Sequence, residues 1–156
     1  MQTIWQQPEL ILHSKRLYRS FELWTGRPLI APKSTDEEIG RSLFEAPFIL
    51  VSHGMERDPI LNYGNQAALK LWQMDWAQFT STPSRLTAEP VAREERERLL
   101  RQAETHGYID NYNGIRISST GQRFYIKAAI VWNVLDEEQQ KCGQAATFSQ
   151  WDFISD

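Results

Sequence analysis

Three histidines, one cysteine and three adjacent carboxylates are the side chains whose chemistry could go beyond packing. His13, His53 and His106 suit a metal or haem iron by type, but no two of them stand at the short spacings of a metal site. His106 precedes Gly107, where a cation complements a helix C-terminus, and His53 falls in a turn. Asp136, Glu137 and Glu138 adjoin in a polar stretch. General acid–base work needs a carboxyl group with a displaced pKa, and a solvated loop gives no means of displacing it. Cys142 follows Lys141, whose charge would lower the thiol pKa. No Gly-rich phosphate loop, G-x-S-x-G or H-E-x-x-H stretch occurs. The expectation is no catalytic residue, no bound metal and no cofactor.

The 156 residues suit one domain with an appendage. Aromatic content is high, with six Trp, so a packed core is expected. A net charge of −3 gives no electrostatic footprint for nucleic acid. The one basic run, Arg93 to Arg101, is interleaved with Glu94, Glu95 and Glu97. No run of ~18 apolar residues suggests a membrane span. The opening MQTIWQQPEL lacks the charge and apolar block of a signal peptide, and a lone cysteine excludes an internal disulfide. These features together predict a cytoplasmic location.

The elements that must hold any site follow from periodicity. Leu10, Leu17, Phe21 and Trp24 recur at helical spacing with Ser14 in the gap, and Gly26 and Pro28 end that helix. Ser34 and Thr35, each with Glu three residues on, offer two registers for capping a short helix that stops at Pro47. Phe48–Val51 and Ile60–Tyr63 read as strands. Asn65 then caps a helix over Gln66–Trp72, worth ~1 kcal/mol. After an irregular stretch, Val91–Glu104 is a helix with Val91, Leu99, Leu100 and Ala103 facing inward, closed by Gly107. The rest is strand. Ile115 and Ile117 alternate with outward Arg116 and Ser118, a turn follows at Ser119–Gln122, and Ala145–Phe153 forms the last strand. Between them Phe124, Ile126, Ala128, Ile130, Trp132 and Val134 make a long period-two face. The opposite face, with Tyr125, Lys127, Ala129 and Val131, is too apolar to leave in water. The N-terminal helix or a second subunit should cover it. This is an α+β order in which two strands open the core, helices cross over and an antiparallel meander closes it.

An Asn at the strand-to-helix handover (NYGNQAALKLW), a long helix ending in Gly (RLLRQAETHG) and a Gly turn between later strands (SSTGQ) resemble a PAS domain. The resemblance sharpens to the PAS-like MEKHLA domain family. It is carried by Asn65-Gln66-Ala67, Ser118 to Gly121, Ala129 to Trp132, Gln150 to Phe153, and Tyr18-Arg19-Ser20-Phe21 through Gly26. It implies a five-stranded antiparallel sheet with helices on one face, plus an N-terminal helix. The units would be residues 1–33, helix and linker, and 34–156, the PAS-like domain. The homeodomain and zipper of the plant members are absent from this sequence, so their DNA binding does not carry over.

A PAS cavity between the helices and the sheet is the implied ligand site, with Trp72, Phe79, Trp132 and Phe148 as candidate lining. Pro83-Ser84-Arg85-Leu86 resembles the flavin loop of LOV photoreceptors, with Ser84 at the Cys position. That rules out a cysteinyl photoadduct, while Arg85 could hold a phosphate and Gln150 could contact a flavin ring. Haem-binding PAS domains carry a His inside the long helix, which is absent here. The resemblance implies a sensory module without catalysis that binds a small molecule or a protein partner. It also implies a homodimer formed through the N-terminal region. The alternatives are a pure dimerisation module with a filled core and a small α+β-barrel enzyme.

Overall fold

Pro8 opens α1 (Pro8–Thr25) at a position where its missing N–H is not needed, and Gly26 closes it at φ 76. The structure, a computed structural model, describes residues 3–155. Residues 1–2 and 156, the outer ends of the two expected units, lie outside the described residues, as does the Val91 side chain. Thr35, not Ser34, caps α2 (Asp36–Phe44) by accepting from the Glu38 N–H. Strands β1 (Ile49–His53) and β2 (Leu61–Gly64) lead to α3 (Gln66–Trp72) and the single turn α4 (Trp76–Phe79). A 3-10 turn over Ser84–Thr87 precedes α5 (Pro90–His106), which Gly107 ends at φ 93.

Strands β3 (Tyr108–Ile117), β4 (Arg123–Leu135) and β5 (Lys141–Phe148) complete the antiparallel order β2-β1-β5-β4-β3. The expected last strand is interrupted at Ser149, and its second part, β6 (Gln150–Phe153), pairs with the first half of β4.

The sheet is buried on both faces. On one, α3, α4 and α5 enclose Ile49, Trp72, Phe79, Phe124, Val131 and Phe148. On the other, α1 and α2 bring Leu17, Phe21, Leu43 and Phe44 onto Leu50, Trp132 and Val134. Burying Leu17 and Phe21 is worth about 1.5–3 kcal/mol each, which accounts for α1 lying on the sheet. The N-terminal helix of the chain itself thus covers one face of the sheet, but over Ile130, Trp132 and Val134 and not over the expected Ala129 and Val131.

The expected face of β4 needs correction. Ala128 has φ 52, a left-handed conformation that side chains seldom adopt, and its N–H donates to Asn113 Oδ1 at 2.9 Å. The alternation switches there. Phe124 and Ile126 face the α5 side before it, and Ala129 and Val131 do so after it. Ile130, Trp132 and Val134 consequently face α1, where Phe21 meets the Trp132 ring edge-on at 5.0 Å between centroids. The same level of the sheet is irregular at Asn111, φ 54 in β3, and at Ser149 between β5 and β6. β3 also departs from expectation, since Arg116 and Ser118 are buried while Ile115 and Ile117 are half-buried.

Asn65 does more than cap. It is fully buried. Its Oδ1 accepts from Ala68 N–H at 3.1 Å, the cap, and from Leu50 N–H at 3.2 Å. Its Nδ2 donates to the Leu43 and Phe48 carbonyls at 3.1 and 2.8 Å. One amide therefore ties the end of α2, the start of β1 and the first turn of α3 together. Asn65→Ala orphans buried partners on all three and should cost about 3–4 kcal/mol, well above an ordinary cap. Asn65→Asp should cost nearly as much, because a carboxylate would face the Leu43 and Phe48 carbonyls. Chemical denaturation checks both, and an Asp variant as stable as wild type would reduce Asn65 to a cap.

His13 fastens α1 to the sheet, with Nε2 2.8 Å from Ser52 Oγ and its ring 5.7 Å from that of Tyr63. Burial, aided by the charge of Arg16, lowers its pKa from the ordinary 6.5 to about 4. The unfolded chain then binds a proton more readily than the folded one. The contribution is present above pH 6.5 and is lost as pH falls toward 4. His13→Gln should flatten the acid side of the stability curve by about 3 kcal/mol over that window. Equal slopes in the two proteins would show that His13 does not titrate with folding.

Candidate functional site

A cavity of about 60 Å³ lies between α5, the 84–87 turn and the sheet. The elements above explain why it is there. Gly64 lets the Phe79 ring cross the end of β2, since a Cβ on it would stand 2.6 Å from that ring. Trp72, at the end of α3, meets Phe79, Phe124 and Phe148 edge-on at 6.2, 5.2 and 6.3 Å. The switch at Ala128 then presents the small Ala129 and Val131 to the cavity in place of Trp132.

Of the expected lining, Trp72, Phe79 and Phe148 are on the wall. The other three candidates are not. Trp132 packs under α1, on the far side of the sheet. Gln150 is exposed, because the break at Ser149 reverses the faces of the last strand. Arg85 is half-buried and paired with Asp58, with Nε 3.2 Å from Oδ1, and it does not line the cavity. Its neighbours Ser84 and Thr87 line the wall instead.

The polar part of the wall was missed. Arg96 and Arg116 both line the cavity and are each only 7% exposed. Arg96 Nη2 donates to Ser84 Oγ at 2.8 Å. Arg116 donates through Nη1 to the Ile115 carbonyl at 2.8 Å and through Nη2 to Tyr112 Oη, and its Cζ lies 5.2 Å from the Tyr112 ring centroid. Gly114 makes this fold-back possible, since a Cβ there would stand 3.2 Å from Arg116 Nη1 and 3.0 Å from the Tyr112 ring. Burial, then the like charge of Arg116, lowers the pKa of Arg96 to about 10. The sequence signal was position. Arg96 falls one turn before Leu100 on the inward stripe of α5, and Arg116 follows Tyr112 and Gly114 at alternate positions of β3.

His53 and Gln144 share the wall. Burial lowers the His53 pKa, and beyond the nearby Gln144 side chain its Nε2 has no hydrogen-bond partner among the described residues. The buried indole N–H of Trp72 likewise has none.

The other singled-out groups lie apart. His106 sits on α5 with Nδ1 2.9 Å from the Gln102 carbonyl, and His13 sits under α1. Among the described residues no three His, Cys, Asp or Glu side chains could hold a metal. Cys142 is half-buried, and burial raises its thiol pKa, opposite to the expected effect of Lys141. Lys141 is turned to Glu104, 3.5 Å away. In the 136–138 loop, Asp136 Oδ1 closes the turn by accepting from the Glu138 and Gln140 N–H groups. Glu137 is not left unperturbed, as its hydrogen bond with Arg16 of α1 holds it below the usual carboxylate range.

The fold has many solved likenesses. A PAS domain from Colwellia psychrerythraea is 13% identical at a TM-score of 0.64, covering 76% of this chain and 95% of that one. The photo-excited blue-light photoreceptor Vivid is 13% identical at 0.59, over 85% and 92%. The Aureochrome1 LOV domain is 17% identical at 0.56, over 83% and 90%. These likenesses make the chain a PAS/LOV-like fold. The residues do not suit a flavin. Ser84 stands in the expected cysteine position and holds Arg96, Arg85 and Gln150 do not line the cavity, and about 60 Å³ is far below the ~300 Å³ of a cofactor-sized pocket. Purified protein should show no absorbance between about 400 and 450 nm, the region of flavin and haem bands. A stoichiometric band there would contradict this reading of the cavity.

No curated protein matches the sequence. The model of the MEKHLA domain matches residues 11–153, nearly the full length, and the chain therefore belongs to the MEKHLA domain family.

Proposed function

We propose that this PAS-like sensory domain has no chemistry of its own and reports the state of its cavity through α1. The observation that supports this is the position of Asn133. Gln144, on the cavity wall, donates through Nε2 to the Leu100 carbonyl of α5 at 3.0 Å and to Asn133 Oδ1 at 3.4 Å. Asn133 Nδ2 donates to the Glu104 carbonyl at 3.1 Å, and the Asn133 carbonyl accepts from Trp24 Nε1 of α1 at 2.9 Å. Trp24 in turn closes over Gly107, where a Cβ would stand 2.4 Å from its ring. A small molecule that shifts α5 against β5 would alter the backbone group that seats the end of α1.

The output surface in this proposal is the open side of α1, where Leu12 and Leu23 are 37% and 56% exposed. A second copy of the chain is the proposed partner there, since α1 already covers its own sheet and needs no second subunit for that. Sedimentation as a monomer at all concentrations would remove the second copy from the proposal.

Ala129→Val tests the coupling without a ligand, by adding apolar volume to the cavity wall. Amide exchange in residues 17–25 of α1 should change several-fold, across the sheet from the substitution. Changes confined to α5 and β3 would disconnect the cavity from α1.

A further inference from the structure

We infer that the cavity is a receptor site for a small organic monocarboxylate, gripped between Arg96 and Arg116; this rests on the ligand-sensing reading above. Buried charges in proteins are ordinarily paired, because desolvating an ion costs several kcal/mol. Here two guanidinium groups, each 7% exposed, line one small cavity. Among the described residues no Asp or Glu lines it. The salt bridges of the described residues all lie elsewhere. The protein acceptors that Arg96 and Arg116 do have, Ser84 Oγ, Tyr112 Oη and the Ile115 carbonyl, are all neutral. A guanidinium is a fork of several N–H donors suited to a carboxylate, and most of these forks remain unused. The cavity itself holds no carboxylate among the described residues, and those close by, Glu97 among them, line the outer groove that Arg96 shares.

A second observation points the same way. The buried N–H of Trp72, on the same wall, has no acceptor among the described residues. Buried donors without acceptors are rare and call for a partner.

Size and wall chemistry select within the anions. A volume of about 60 Å³ admits a small molecule and excludes a nucleotide. Phe79, Ile126, Val131 and Phe148 make part of the wall apolar, and of its other polar groups Ser52, Thr87 and Gln144 carry no charge while burial disfavours the charged form of His53. A single carboxylate on an apolar body of one or two carbons satisfies both parts, whereas inorganic phosphate would meet only the arginines. Entry is available from outside. A surface groove between the 53–59 loop and α5 shares His53, Ser84, Arg96, Leu100 and Gln144 with the cavity, so the Arg96 side chain stands between the two.

The test is calorimetric titration of the full chain with formate, acetate, propionate, acetamide and inorganic phosphate at constant ionic strength. Saturable binding of acetate or propionate, at least tenfold tighter than acetamide or phosphate, is expected. Arg96→Met and Arg116→Met should each weaken it tenfold or more. Each should also leave the ligand-free thermal midpoint unchanged or raised, since an unpaired buried charge has been removed. The wild-type comparison stands even if a variant fails to fold. Acetamide binding as well as acetate would overturn the carboxylate assignment and leave a ligand-binding cavity. Phosphate binding as well as acetate would overturn the organic body. No heat from any of the five would overturn this assignment; the coupling of cavity to α1 stands or falls separately by the Ala129→Val exchange experiment.

Discussion

The left-handed residue at Ala128 is the constraint on which the rest depends. A strand of β4's length that kept strict alternation would place Trp132 on the same face as Phe124 and Ile126. The indole would then fill the space where the cavity lies, and α1 would lose the ring against which Phe21 packs. The switch gives each face what it needs, with Ala129 and Val131 leaving room beneath α5 and Trp132 and Val134 forming the seat of α1. A non-glycine residue in this conformation costs about 1–2 kcal/mol. Asn113, which accepts the freed Ala128 N–H, and the matching breaks at Asn111 and Ser149 spread the distortion over three strands.

Function follows from having both faces occupied. The cavity side carries two guanidinium groups on a wall with no carboxylate among the described residues, and the opposite side carries a helix held by His13, Phe21 and Trp24. Asn133 belongs to both, with its side chain toward α5 and β5 and its carbonyl toward Trp24. The Asn65 amide fixes where α2, β1 and α3 begin and end, so movement at the cavity has firm ground to act against.

Much of this was legible in the sequence, and the failures have one physical source. Helices were marked by caps and breakers, and α3 runs from Gln66 to Trp72 as Asn65 and the apolar spacing indicate. Sheet faces were harder, because a sheet apolar on both sides gives alternation no contrast by which to reveal a change of phase. Trp132 and Gln150 were both misplaced by irregularities that no residue type announces, Ala128 in one strand and Ser149 in the other. Arg116 was placed outward by its alternation with Ile115 and Ile117, and Arg96 was read only as part of a charge-balanced run, so neither was expected in the cavity. Asn65 was legible as a cap, but its bonds to Leu43, Phe48 and Leu50 depend on tertiary neighbours.

The central claim is that the cavity wall and α1 are energetically one unit, joined at Asn133. A double-mutant cycle on Gln144 and Trp24, with Gln144→Leu and Trp24→Phe, measures that directly through unfolding free energies. These two residues make no hydrogen bond to each other; both bond Asn133, and each also touches α5 or its capping glycine, at Leu100 and Gly107. The account predicts a coupling energy of about 0.5–1.5 kcal/mol. Effects that add to within about 0.3 kcal/mol would contradict it.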